Sequence, residues 1–114
     1  MSKIGFARVS TVHQDLSDQI ERLEKNGCDR IFSGKHPGKA DANKEALAEL
    51  LDYVRDGDTV VVTKLDRFGR SLSQVLVHIE ALKEKGVNLI ALDQSIDTAS
   101  DNPMDKAMIH LLGM

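Results

Sequence analysis

The chain is poor in the residues that most often announce a function. Its 114 residues hold no tryptophan, one tyrosine, two prolines and one cysteine. Cys28 has no partner for an internal disulfide, so cross-links take no part in the fold, as expected of a reducing cytoplasm. No apolar run approaches the ~20 residues that span a bilayer, so no membrane partner is expected. His13, His36, His78 and His110 lie far apart without ligand-like spacing, which argues against a histidine metal site. There is no basic excess either: 15 Lys and Arg against 18 Asp and Glu leave a net charge of -3. Any contact with nucleic acid must therefore be local, or another domain must supply most of the affinity. No glycine-rich dinucleotide fingerprint or phosphate-binding P-loop follows an apolar run, which disfavours the nucleotide-binding enzymes. What remains is one globular domain with ordinary apolar and charged content, 41% and 29%.

Read in order, apolar segments alternate between strand and helix periods. Ile4, Phe6, Ala7 and Val9 predict a short buried strand that starts almost at the first residue, leaving no room for a targeting segment. Leu16, Ile20 and Leu23 predict a helix to about Lys25, capped by Thr11 or Asp15 and ended by Asn26-Gly27. Cys28 to Phe32 reads as a weak strand and Ser33 to Lys39 as a mobile loop rich in Gly and Lys. A second helix is expected from about Asn43 to Arg55, on Leu47, Leu50, Leu51 and Val54. The β-branched run Thr59 to Thr63 predicts the central strand of a parallel sheet. A third helix, about Ser71 to Lys85, is stopped by Gly86, and Val87 to Leu92 is a further buried strand. Asp93 to Asn102 is polar, with Asp93, Asp97 and Asp101 read as turn residues because they lack calcium-loop spacing. A last helix starts at Pro103, and Met104, Met108, Leu111, Leu112 and Met114 make it apolar on more than one face, so it wants a partner. The alternation predicts a three-layer α/β/α fold with a mostly parallel sheet of four to five strands.

Two stretches carry chemistry. Arg8 and Ser10 are two apart at the end of the first strand, a spacing that points both side chains to one side. They are either a nucleophile beside an anion clamp or a solvated polar strand end. Lys64 to Arg70 follows the central strand at its C-terminal edge, where open α/β sheets place their sites. If the next helix starts near Arg67, then Arg67 and Arg70 share its first turn, against the macrodipole, and an anion is the natural reason to hold them there. A self-paired charge cluster is the ordinary alternative. Should the two strands be neighbours, Arg8, Ser10, Arg67 and Arg70 leave the sheet together. Guanidinium forks match phosphate oxygens and stay charged at physiological pH, so that constellation points to phosphoryl chemistry. No histidine is placed to complete a hydrolase triad.

Phe6-Ala7-Arg8-Val9-Ser10-Thr11, with Gln14 and Gln19 downstream, resembles the opening motif of the serine site-specific recombinases, the resolvases and DNA invertases. Lys64-Leu65-Asp66-Arg67-Phe68-Gly69-Arg70-Ser71 resembles their second motif, and Ser95-Ile96-Asp97-Thr98 the segment before their long helix. The resemblance implies that Ser10 attacks a DNA phosphodiester to form a 5′-phosphoserine intermediate, with strand exchange and religation needing neither metal nor ATP and no cofactor. It implies Arg8, Arg67 and Arg70 as stabilisers of the phosphorus charge, and Asp66 as an acid for the leaving oxygen or an orienting partner for the arginines. Gln19 would position the hydroxyl or the phosphate, and Lys44 and Lys64 would bind substrate. Three positions depart from the family: Phe6 stands for a tyrosine, Pro37 for the serine before the loop glycine, and Lys44 for an arginine, keeping charge but losing the fork.

The resemblance also sets expectations for organisation. Residues 1–102 would be the catalytic domain and 103–114 the truncated start of the dimerisation helix, with the C-terminal helix-turn-helix DNA-binding domain absent. The partners implied are crossover-site DNA and further copies of the chain, as a homodimer that forms a synaptic tetramer. This fragment by itself would be a monomer or weak dimer. The setting implied is bacterial or mobile-element cytoplasm, at the nucleoid.

Overall fold

The computed structural model describes residues 2–8, 13–34, 42–68, 71–93 and 95–98. Within them the order is β1 (Lys3–Ala7), α1 (His13–Lys25), β2 (Arg30–Ser33), α2 (Ala42–Tyr53), β3 (Thr59–Val62), a 3-10 turn (Leu65–Phe68), α3 (Leu72–Glu84), β4 (Asn88–Ala91) and β5 (Ile96–Asp97). The strands form one sheet in the order β2-β1-β3-β4-β5, in which only the β4–β5 pair is antiparallel. Among the described residues no helix is long and apolar enough to cross a membrane.

The alternation of side chains along each strand builds two cores. Ile4, Phe6, Val60, Val62, Leu89 and Ala91 point to one face and pack with Leu50 of α2, Val54 just after it, and Val75, Ile79 and Leu82 of α3. Ala7 and Val61 point to the other and pack with Leu16, Ile20 and Leu23 of α1. Gly5 lies on that second face as well. A methyl group there would sit 3.0 Å from Leu23 Cδ1, so the missing side chain is what lets α1 approach β1. Cys28 is half-buried in this second core, as a small apolar residue, and burial pushes its thiol pKa up.

Helices α1 and α3 end in the same way. Gly27 and Gly86 take positive φ; Cys28 N–H donates to Leu23 O and Val87 N–H to Leu82 O, which closes a Schellman motif at each end. At the N-terminal edge of the sheet, the Asp58 carboxylate accepts from Ser2 N–H at 3.0 Å and Arg55 N–H at 2.8 Å, holding its pKa below the usual carboxylate range.

One segment differs from the sequence reading, and one condition left open there is decided. The polar stretch after Leu92 contains β5, whose two residues pair with Ile90 and Ala91; Thr98 secures it, its Oγ1 accepting from Leu89 N–H at 2.8 Å. Helix α3 starts where the sequence places it, with Ser71 as its cap, so the condition that it begin near Arg67 is not met. Ser71 is extended (φ -138°, ψ 162°) and its hydroxyl caps α3 by accepting from Gln74 N–H, so Arg67 belongs to a separate 3-10 turn. The helix-dipole argument for Arg67 therefore fails. The Gly-Lys loop from residue 35, the segment from Pro103, and the residues Ser10, Pro37 and Arg70 lie outside the described residues.

Candidate functional site

Chain order reverses between β1 and β3: from β1 the chain moves outward to β2, and later runs from β3 outward to β4. The crevice beyond the carboxyl ends of two such strands is where open α/β sheets bind ligands. Because β1 pairs directly with β3, the two motifs do leave the sheet as neighbours. Arg8 leaves β1, and Thr63, Lys64 and the turn carrying Arg67 leave β3, all at this edge.

Gln19, on α1, is 3% exposed and reaches the end of β1. Its Oε1 accepts from Arg8 N–H and its Nε2 donates to Arg8 O, both at 3.2 Å. The side-chain amide thus serves Arg8 as a neighbouring strand would, satisfying both backbone groups just beyond the sheet. The amide therefore holds the backbone two residues before Ser10. Arg67 is half-buried with its Nε atom buried, and its own N–H donates to Lys64 O at 3.1 Å. Phe68, the last residue of the turn, is fully buried, and its ring meets Phe6 of β1 edge-on with centroids 6.1 Å apart.

An open groove of about 420 Å³ runs between α1 and this edge, lined by Gln19, Arg22, Thr63, Lys64, Arg67 and Asp93 among others. Sequence reasoning misses Arg22 and Asp93 as site residues. Arg22 is three residues after Gln19 on α1, a spacing that puts them on one face and is a usable signal. Asp93 does sit in a turn, as expected, but just past β4 it also closes the groove: its carboxylate meets Arg22 Nη2 at 2.5 Å and Lys64 Nζ at 3.9 Å. The Arg22 hydrogen bond, with Lys64 and Arg67 nearby, holds the Asp93 carboxyl below its ordinary pKa. The lining is mixed in charge, with Lys25, Asp18 and Glu21 beside these groups, and Arg22 and Lys64 converge on the Asp93 carboxylate.

The expected site residues divide accordingly. Gln19, Lys64 and Arg67 line the groove, and Arg8, whose backbone Gln19 holds, leaves β1 at the same edge without lining it. Lys44 does not: it is exposed on α2, which packs against the edge strand β2, and it does not line the groove. Asp66 lies in the 3-10 turn, with its side chain outside the described residues.

Comparison with known proteins bears on the same elements. The family described as "Resolvase, N terminal domain" matches residues 3–114. The chain is 42% identical over 110 residues to a DNA-invertase of Escherichia phage P1, covering 96% of this chain and 58% of the relative. It is 42% identical over 112 residues to DNA-invertase hin of Salmonella typhimurium, covering 98% and 57%. Among solved structures, a resolvase family site-specific recombinase from Streptococcus pneumoniae superposes with a TM-score of 0.75 at 26% identity, covering 99% of this chain and 84% of that one. The chain spans a little over half the length of the curated relatives it matches.

Proposed function

The chain belongs to the resolvase family, through its N-terminal domain, and we propose on that footing that it is the catalytic part of a site-specific DNA recombinase. The observation that carries the reading is that β1 and β3 pair directly, so Arg8 leaves one strand and Lys64 and Arg67 follow the other at the same edge, within the two motifs that resemble the family.

In the proposed reaction Ser10 Oγ attacks a backbone phosphorus. The P–Oγ bond forms, the P–O3′ bond breaks, and the products are a 5′-phosphoserine ester and a 3′-hydroxyl. The proton lost by Ser10 is matched by the one the 3′-oxygen gains, with Asp66 the candidate donor or the group that orients the arginines. Arg8, Arg67 and Arg70 stabilise the charge on the pentacoordinate phosphorus; one such preorganised donor is typically worth ~3–4 kcal/mol. The ester conserves the energy of the bond, so religation by the reverse attack needs no nucleotide, and the arginines supply the positive charge that a metal supplies elsewhere. Gln19 contributes through Arg8, by pinning the backbone that leads to Ser10. Lys64 contacts the DNA backbone, and Lys44 does so from outside the groove.

The chain by itself is proposed to be a monomer or weak dimer that assembles into a homodimer and a synaptic tetramer when the rest of the protein and its DNA site are present. A tight dimer at micromolar concentration in sedimentation would overturn the first part.

The decisive experiment joins the domain to a DNA-binding module after Met114 and incubates it with labelled crossover-site DNA. The reaction is quenched with detergent and run on a denaturing gel beside Ser10→Ala. A covalent protein–5′-DNA band that is absent in the mutant is the expected result. Bound DNA with no such band in the parent would sink the catalytic reading and leave a phosphate-binding or assembly module of the same fold.

A further inference from the structure

One buried contact near the site belongs to no part of the reaction described above. His78 lies on α3 one residue before the buried Ile79 and three after the buried Val75, so it flanks the helix's core stripe and is half-buried. Its Nδ1 lies 2.7 Å from the backbone carbonyl of Phe68, ten residues earlier. A carbonyl only accepts, so Nδ1 carries the proton. The imidazole also meets the Phe68 ring edge-on, with centroids 5.4 Å apart and planes at 71°. Phe68 in turn meets Phe6 of β1 in the same manner.

The result is a column of three rings, Phe6–Phe68–His78, from the sheet to α3. Each of the first two rings lies close in sequence to an arginine of the site: Phe6 two residues before Arg8, Phe68 directly after Arg67. The 3-10 turn that carries Arg67 is only four residues long, and such turns have poorer internal hydrogen bonds than α-helix. Its geometry therefore depends on what holds its ends. Lys64 O receives the Arg67 N–H at one end, and His78 holds the Phe68 carbonyl at the other.

We propose that His78 is a positioning residue for the recombination chemistry, clamping the end of the turn that presents Arg67 and completing the aromatic column that ties this turn to β1 beside Arg8. The proposal rests on the recombinase reading for its catalytic consequence and on the geometry alone for the clamp.

Two variants separate the ring from the donor: His78→Phe keeps a ring without the hydrogen bond, and His78→Gln keeps a donor without the ring. The first readout is amide hydrogen exchange on the 114-residue chain, at Arg67 and at Val61 in the central strand. Loss of one such hydrogen bond, at about 1 kcal/mol, corresponds to roughly fivefold faster exchange. In His78→Phe that change is expected at Arg67 and not at Val61. No change at Arg67, or equal changes at both positions, overturns the clamp whether or not the protein cleaves DNA. The second readout is the rate of Ser10-dependent adduct formation at saturating DNA, in the assay above. His78→Phe is expected to slow it roughly ten- to a hundredfold with DNA affinity unchanged, since small misplacements of an aligned group cost that much. His78→Gln should recover part of the loss. Cleavage by His78→Phe at the parental rate overturns the catalytic role. Absence of adduct in the parent, with Arg67 exchange still responding, refutes the recombinase reading and the catalytic role while establishing the clamp.

Discussion

On one face of the sheet α2 and α3 lie over Ile4, Phe6, Val60, Val62, Leu89 and Ala91, and the interior between them is apolar throughout. On the other face, among the described residues, α1 is the helix that covers Ala7 and Val61, and Ile90 and Leu92 toward β4 are only partly buried. The polar groups that reach the sheet gather on this thinner side. Gln19 is buried there against the end of β1, Thr63 is buried at the end of β3, and Arg22, Lys64 and Asp93 ring the groove. Among the described residues, one helix lies over this face of the five-stranded sheet. The area it leaves open, at the carboxyl edge beside the switch point, is where charged side chains can keep water and still converge. One face thus supplies cohesion, and the other gives up some packing to hold a site.

Substitutions test that division, beginning with the largest effect. Leu50 and Leu23 are both fully buried, one on each face. Leu50→Ala is expected near the upper end of the ~2–5 kcal/mol range for such truncations, because two helices and the sheet hold its cavity open. Leu23→Ala should fall near the lower end, since α1 can settle toward the sheet. Urea unfolding of the two variants measures this, and equal losses would remove the energetic half of the comparison.

The next change concerns a polar group on the thin face. Gln19→Leu preserves bulk but leaves the Arg8 N–H and C=O without their partners, a loss of ~1–3 kcal/mol. Adduct formation in the cleavage assay should fall with it, because Arg8 is then less firmly placed. A Gln19→Leu protein as stable and as active as the parent would show that this buried amide is incidental.

The smallest effect sharpens the comparison instead. The Arg22–Asp93 pair is partly exposed, and Asp93→Asn should cost under ~1 kcal/mol. The sign of its pH dependence follows from the depressed carboxyl pKa. The pair's contribution is present above the unfolded value of about 3.9, and it is lost as pH falls through the lower folded value. Thermal melts between pH 6 and 3 should therefore converge for parent and mutant at the acid end. A mutant that stays less stable by the same margin at pH 3 would mean that Asp93 acts through packing and not through charge.

Much of this architecture is legible in the order of residues. The β-branched run of β3 marks the central strand, the apolar stripes of α1 and α3 mark their inner faces, and Gly27 and Gly86 mark their ends. The apolar stripe starts α1 at Leu16, three residues late, because its first turn carries polar His13, Gln14 and Asp15. The two-residue β5 escapes because only Ile96 in that segment is apolar. Whether Arg67 shares the first turn of α3 is left open by its three-residue spacing from Arg70; Ser71 in extended geometry starts the helix after it and leaves Arg67 in a separate turn.

Local sequence is enough to say which segments are strands and helices, which side of each is apolar, and which motif residues stand at strand ends. These follow from period and propensity, properties of neighbouring residues. Tertiary packing was needed to set β1 beside β3, to bring Gln19 to the Arg8 backbone and His78 to Phe68, and to join Arg22 to Asp93 across 71 residues. Contacts of that kind depend on how the faces pack once the chain has crossed over the sheet, and spacing along the chain does not encode them.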